Sequence, residues 1–410
     1  MKLFGFHSSR DFDIQLLAAV LILVCIGILA VYSATQTDQP GFEGIWSKQL
    51  LSLAIGLAGL VVAVIVPYRY LEAFAWPIYG LSLVLLVVVL LGPKHMNTHR
   101  WIRLGGQMFQ PSEIAKLATI FALAKLIYKK DLGRAGFLGI LLPLAIVVVP
   151  LGLVLVEPDL GTSLSFGALF IAMIFWQGYP VKNILYLLSP VLSMVAVFSM
   201  PSWIGFMILL LLSFWFFRMK FKHASWILVL NTVIGSITPF LWQGLKDYQR
   251  MRIMIFLNPG IDPRGAGWHV LQSKIAVGSG GFWGQGFLKG TQKKLSFLPE
   301  QHTDFIFATF GEEFGFIGTM VILSLFIALF IFGIKIAVNA KDLFGTLLAF
   351  GITVMITLQA IINMSVSVGV IPTKGLPLPF ISFGGSSVLV MLTSVGILLN
   401  IGKQMRYENR

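Results

Sequence analysis

The sequence predicts an all-α, polytopic transmembrane helix bundle, and three observations predict it. Hydrophobic residues make up 57% of the 410 and charged residues only 11%, against about 25% charged in soluble domains. Mean hydropathy is +0.87. The apolar residues fall in runs close to the roughly 20 residues that cross a bilayer core, with short polar turns between them. This reads as a single integral membrane domain, 1–410, rather than several water-soluble units.

The first run, 14–34, follows Lys2 and Arg10 and so has the flanks of a signal peptide. It is too long for a signal h-region and more runs follow, so it reads as an uncleaved first span. Its Cys25 is the only cysteine, which leaves no intrachain disulfide, and no Cys/His spacing suggests zinc. Further runs lie at 49–66, 73–92, 113–128, 137–156, 160–176, 183–200, 203–217 and 225–242. Three more, at 305–337, 343–371 and 380–402, bring the total to about twelve. The run beginning at Asp304 is too long to cross straight. It would extend roughly 50 Å as a helix, against a core about 30 Å thick. A bend is expected near Gly311, Gly315 or Gly318, with Asp304 capping the helix N-terminus.

Charge sets the orientation. With the N-terminus cytoplasmic, the inner turns carry Arg69, Lys129, Lys130, Arg134, Lys182, Arg218, Lys220, Lys222, Lys335 and Lys341. Lys403, Arg406 and Arg410 follow the last run. This alternation predicts both termini inside. The net charge of +13 is spread over membrane-flanking turns, so it does not point to nucleic acid.

Two segments on the expected outer face break the pattern. Residues 93–112 carry Lys94, His95, Arg100 and Arg103, and the 243–304 loop carries eight cations against four acids. Cations there suit an anionic ligand such as phosphate or pyrophosphate, although long loops are partly exempt from the rule. The loop is too long for a passive connection. Within it, "GWHVLQSKIAVGSGG" reads as an amphipathic interfacial helix. The glycines of "GSGGFWGQG" lack a following Gly-Lys-Ser/Thr, so turns and close backbone packing fit them better than a phosphate loop.

Candidate site residues follow from this layout. Asp304, with Glu300 and His302 at alternate positions before it, is a carboxylate beside a basic loop. It could act as a general base or hold a divalent metal against a pyrophosphate. Arg100, Arg103, Lys116, Arg250 and Arg252 are the cations for a departing anion. Glu113 and Lys116 share a helix face at i,i+3, either as a stabilising ion pair or as cavity-lining groups. Glu157 and Asp159 either cap the sixth run or join the site. Glu312 and Glu313 are as readily fold-stabilising as functional. "FISFGGSS" at 380–387 begins the last helix, by small-residue packing or as a phosphate site.

Six segments carry a resemblance. They are "HRWIRLGGQMFQPSEIAK" (99–116), "EPDLGTS" (157–163), "DYQRMRI" (247–253), "NPGIDPRGAGWHVLQSKIAVGSGGFWGQG" (258–286), "FLPEQHTDFIFATFGEEFGFIG" (297–318) and "PTKGLPLPFISFGGSS" (372–387). Together, and in this order, the chain resembles the SEDS family, that of RodA, FtsW and SpoVE, over nearly its whole length. The resemblance implies a peptidoglycan glycosyltransferase that polymerises lipid II at the outer face of the cytoplasmic membrane, releasing undecaprenyl pyrophosphate. It also implies a class B penicillin-binding protein as partner, further membrane proteins of the elongation complex, and a divalent cation. Asp304 matches the family's essential carboxylate, and Arg100 and Trp101 its Arg-Trp motif.

The family usually has ten spans, so the pair at about 183–217 is surplus. "GTQKKLSFLPEQHTDFIFA" resembles RodA, whereas "PTKG" leans toward FtsW or SpoVE, and the elongation enzyme is the favoured reading. The rival classes are a lipid II transporter, with Glu113 and Lys116 as gating groups, and a scaffold that positions a penicillin-binding protein. A transporter needs no carboxylate at an outer-face site, and a scaffold would tolerate loss of Asp304.

Overall fold

The computed structural model describes residues 12–36, 44–92, 100–104, 107–129, 137–157, 159–245, 250–251, 254, 266–291, 301–371 and 375–407. The chain begins with α1 (Phe12–Thr35), α2 (Ile45–Ile65) and α3 (Arg69–Leu91). A short antiparallel hairpin follows, β1 (Ile102–Leu104) with β2 (Gln107–Phe109), pairing Arg103 with Met108. Then come α4 (Pro111–Lys129), α5 (Leu141–Val156), α6 (Leu160–Trp176), α7 (Val181–Ala196), α8 (Met200–Phe216) and α9 (Phe221–Gly244). The 243–304 loop contributes α10 (Ala266–Ser279), and α11 (Ile306–Asn339), α12 (Leu343–Ser367) and α13 (Gly385–Tyr407) complete the fold.

A helix thus occupies each of the twelve expected runs, and the protein is a polytopic transmembrane bundle. Among the described residues, seven helices are long and apolar enough to cross a membrane by length and composition, and four (α5 to α8) are apolar but shorter. The twelfth, α4, is 19 residues long and carries the buried pair Glu113 and Lys116.

The middle of the bundle is α12 and α13, where 67% and 83% of the most apolar stretch is buried, against 22% in α3 and α9. The helices α7 and α8 stand apart with α9. Tyr186, Leu210, Phe214 and Ile227 form a separate small core there. Polar contacts pin it: Asn231 donates to Ser189 Oγ at 2.8 Å, and Trp203 Nε1 to Ser193 Oγ at 3.0 Å. Such bonds help helices associate in lipid, where apolar burial gives no preference for helix over tail.

α11 resolves its excess length by a break. Gly315 has φ 64° and ψ −161°, a conformation open essentially to glycine alone. The backbone groups freed there are taken by the glycine loop that precedes them. Phe316 N donates to Gly281 O at 2.9 Å, and Gln285 N and Gly286 N donate to Glu312 O and Glu313 O at 3.0 and 2.9 Å. Close backbone packing is therefore the use of the "GSGGFWGQG" glycines. α10 lies against α11 with Gln272, Ser273 and Ala276 buried, leaving Leu271 and Ile275 exposed.

Four expectations need correction. Asp304 does not cap α11: the residue before the first helical one is Phe305, and no side chain caps that end. The last helix starts at Gly385 rather than 380, because 375–384 holds Pro377, Pro379 and a left-handed Phe380, φ 66°. α12 ends at Ser367, short of 371. The β1–β2 hairpin was not expected in an all-helical chain.

Candidate active site

The hydrogen bonds draw four groups of polar residues to one end of the bundle. The first is the turn 301–305 that carries Asp304. Its backbone is anchored by Asn363 Nδ2 to Asp304 O (3.0 Å), Ser382 Oγ to Thr303 O (2.6 Å) and Phe383 N to His302 O (2.9 Å). Gln301 Nε2 reaches Ala34 O of α1 at 2.9 Å. The Asp304 side chain is half-buried against Gly375, where a Cβ would lie 3.0 Å from Asp304 Oδ2. The absence of a side chain at 375 leaves the carboxylate its place. The His302 ring lies 5.6 Å from that of Phe383.

The second group is the ion pair on α4. Lys116 Nζ donates to Glu113 Oε1 at 2.8 Å and to Gln359 Oε1 of α12 at 2.7 Å, with both charged side chains essentially unexposed. Gln359 Nε2 continues to Pro377 O at 3.0 Å. The i,i+3 spacing read from the sequence is thus a real pair, and it is wired to the segment beside Asp304. Among the described residues, Glu113 Oε2 and its neighbour Ser112 Oγ are buried without a hydrogen-bond partner. Such groups suit a water or a ligand hydroxyl.

Third are the residues of "EPDLGTS" with Arg100. Asp159 caps α6, accepting from Thr162 N at 3.1 Å, and its Oδ2 lies 3.9 Å from Arg100 Nη1. Arg100 Nε donates to Glu157 O at 2.9 Å. Gln110 bridges this group to the start of α13: its Nε2 meets Asp159 Oδ2 at 3.4 Å and its N donates to Ser386 Oγ at 3.2 Å. Glu157 is buried, and among the described residues neither carboxyl oxygen has a hydrogen-bond partner. Burial first, and then Asp159, push its carboxyl up to about 8 against the pull of Arg100.

The fourth group stands behind the site. Glu313 accepts from Ser33 Oγ of α1 at 2.6 Å, and Glu312 accepts from Thr291 N and Oγ1 at 2.7 and 2.8 Å. They tie α11 to α1 and to the long loop.

Not every candidate joins. Trp101 is half-buried and Arg103 exposed, at the start of the hairpin. Arg250 turns back on the end of α9, donating through Nε to Trp242 O at 2.9 Å and through Nη2 to Gln243 O. That accounts for its guanidinium as a C-terminal cap. Arg252 and Glu300 lie outside the described residues. Asn363, Ser382, Gln359 and Gln110 were missed. The available signal was a pair of amide side chains four residues apart, Gln359 and Asn363, in an apolar run.

Fold and site define a class: a polytopic membrane protein with a fixed carboxylate, a buried ion pair and an arginine–carboxylate pair gathered at one end. The family model of FtsW, RodA and SpoVE, described as "Cell cycle protein", matches residues 14–215 and 199–407, and the chain belongs to that family. It is 39% identical over 407 residues to a protein of Trichlorobacter lovleyi named "Probable peptidoglycan glycosyltransferase FtsW", covering 97% of this chain and 94% of that one. It is 35% identical over 400 residues to "Peptidoglycan glycosyltransferase MrdB" of Escherichia coli, covering 97% and 95%.

Among solved structures, it matches a chain from "Structural coordination of polymerization and crosslinking by a peptidoglycan synthase complex". The TM-score is 0.70 at 26% identity, over 96% of this chain and 98% of that one. The "Rod shape determining protein RodA" of Thermus thermophilus matches with a TM-score of 0.63 at 25% identity, over 95% and 96%.

Proposed function

We propose that the protein is a peptidoglycan glycosyltransferase that polymerises lipid II during cell elongation. The observation that carries this reading is the fixed placement of Asp304, a carboxylate whose backbone is anchored and whose side chain sits in a gap kept open by Gly375. Relatives named as peptidoglycan glycosyltransferases, aligned over nearly the whole chain, support the substrate class.

In this mechanism the sugar 4-hydroxyl of one substrate attacks the anomeric carbon of another. Asp304 takes the hydroxyl proton as the new C–O bond forms. The bond from the anomeric carbon to the pyrophosphate breaks, and its electron pair leaves with undecaprenyl pyrophosphate. Arg100, partly exposed beside Asp159, is the cation we assign to that anion. Lys116 is committed to Glu113 and Gln359, so its role is to hold α4 against α12 rather than to swing onto phosphate. No three Asp, Glu, His or Cys side chains converge among the described residues. The Asp304 carboxylate is the described group that would help hold a divalent cation against the pyrophosphate, and no step here is routed through one.

The cation pattern of the turns supports both termini in the cytoplasm and the Asp304 end outside. The structural likeness to a chain of a peptidoglycan synthase complex supports a class B penicillin-binding protein as partner. Division rather than elongation is the second reading, favoured by the 39% identical relative named FtsW.

The test is polymerisation of lipid II by the purified protein with its partner, comparing wild type with Asp304→Ala. Glycan chains from the wild type and none from a folded variant are expected. Equal polymerisation by both would remove Asp304 from the mechanism. No polymer from either would favour a lipid II transporter built around Glu113 and Lys116. Complementation of elongation-deficient and division-deficient cells separates the two cellular roles.

A further inference from the structure

Three consecutive peptide carbonyls in the turn bearing Asp304 each receive a hydrogen bond, and two of the donors are buried side chains. Ser382 Oγ donates to Thr303 O at 2.6 Å while accepting from Leu378 N at 2.7 Å. Asn363 Nδ2 divides its two protons between Asp304 O at 3.0 Å and Leu376 O at 2.7 Å. Each side chain therefore joins the turn to the segment 375–384, and each is almost wholly buried. Phe383 N, on His302 O, completes the set.

The 375–384 segment is itself tightly determined. It is non-helical chain, buried from Leu378 to Ser382, a situation tolerated at membrane depth only where protein groups satisfy the backbone. Gln359 takes Pro377 O, Asn363 takes Leu376 O, and Gln49 Nε2 takes Ser382 O at 3.2 Å. Phe380, fully buried, holds a left-handed φ of 66°. Strain of this kind persists only where the surroundings over-determine the backbone. At Gly375 the same segment meets the Asp304 carboxylate.

We propose that Asn363 and Ser382 are positioning residues for the glycosyl transfer. They lock the Asp304 turn onto the 375–384 segment and so fix where the carboxylate meets the acceptor hydroxyl. This inference rests on the reading of Asp304 as the base. Proton abstraction requires a heavy-atom approach of about 2.6–3.2 Å. A carboxylate on a short side chain follows its backbone, so a turn released from three anchors drifts out of that range. Misplacement by about 1 Å costs on the order of a hundredfold in rate.

Steady-state kinetics of lipid II polymerisation, with the partner present, tests this in Ser382→Ala, Ser382→Thr, Asn363→Leu and Asp304→Ala. For Ser382→Ala and Asn363→Leu the expected result is a fall in kcat of about tenfold or more, with KM within about twofold. Ser382→Thr keeps the hydroxyl and is expected to recover most of the rate. If Asn363→Leu does not fold, the Ser382 pair decides alone, with thermal unfolding midpoints as the control. The inference is overturned if both alanine and threonine at 382 keep wild-type kcat while Asp304→Ala is dead. It is also overturned if Ser382→Ala loses rate only in proportion to a loss of folded protein. Full activity in Asp304→Ala would instead sink the parent reading.

Discussion

Lys116 Nζ on α4 and Gln359 Oε1 on α12 lie 2.7 Å apart in a fully buried setting, with Glu113 Oε1 on the other side of the lysine at 2.8 Å. One turn further along α12, Asn363 holds the backbone of Asp304. A single face of α12 therefore meets a buried charge of α4 through Gln359 and the candidate catalytic turn through Asn363. The i,i+4 spacing puts the two amides one above the other.

That arrangement gives the lysine a neutral partner as well as a charged one. Removing one member of a buried ion pair costs about 3–5 kcal/mol, because the other charge is left uncompensated. Gln359→Leu should cost about 1–3 kcal/mol by orphaning a donor on Lys116. Lys116→Met should cost more than Gln359→Leu, and Glu113→Gln combined with Lys116→Met should cost less than the two singles added. Unfolding midpoints in detergent, arranged as a double-mutant cycle, measure this. Additive losses would mean that the pair does not act as a unit.

Glu157 gives a pH prediction with a definite sign. Its carboxyl keeps its proton up to about pH 8 in the folded protein and releases it near 4.5 in the unfolded chain. Across that window the folded state binds more protons, so stability falls as pH rises and levels off above the folded value. Glu157→Gln removes this slope. The variant and wild type should unfold at similar temperatures near pH 4.5, and the variant should be the more stable at about pH 8. Parallel curves across the window would show that the carboxyl is not desolvated.

Local patterning made much of this legible. Each of the twelve apolar runs coincides with a helix, and a run too long for a bilayer required a break, found at Gly315. The Glu113–Lys116 contact follows from helical spacing alone. What local patterning could not supply was partners distant in sequence. Asn363 and Ser382 meet the Asp304 turn from 59 and 79 residues away, and only tertiary packing sets those distances. Asp304 has the sequence position of a helix cap but does not act as one, since its turn is held from outside by Asn363 and the 375–384 segment. The β1–β2 hairpin has a local signal of its own in "IRLGGQMF", where a Gly-Gly pair between short apolar flanks favours a two-residue hairpin.

Gly315 offers the clearest test of how the long loop is attached. At φ 64° and ψ −161° a Cβ is strained in itself, and here it would also run into Gly284 N. Four backbone bonds cross the break, from Phe316 N to Gly281 O, Ile317 N to Phe282 O, Gln285 N to Glu312 O and Gly286 N to Glu313 O. An alanine there must either carry about 1–3 kcal/mol of strain or push the loop away and surrender those bonds. Gly315→Ala should therefore lose hydrogen-exchange protection at Gln285, Gly286, Phe316 and Ile317, while amides in the middle of α12 keep theirs. Trp283, 79% exposed at the loop tip, should become more susceptible to proteolysis nearby. Unchanged protection at those four amides would mean that the loop and the break are not energetically joined. α11 would then bend at Gly315 for reasons of membrane thickness alone.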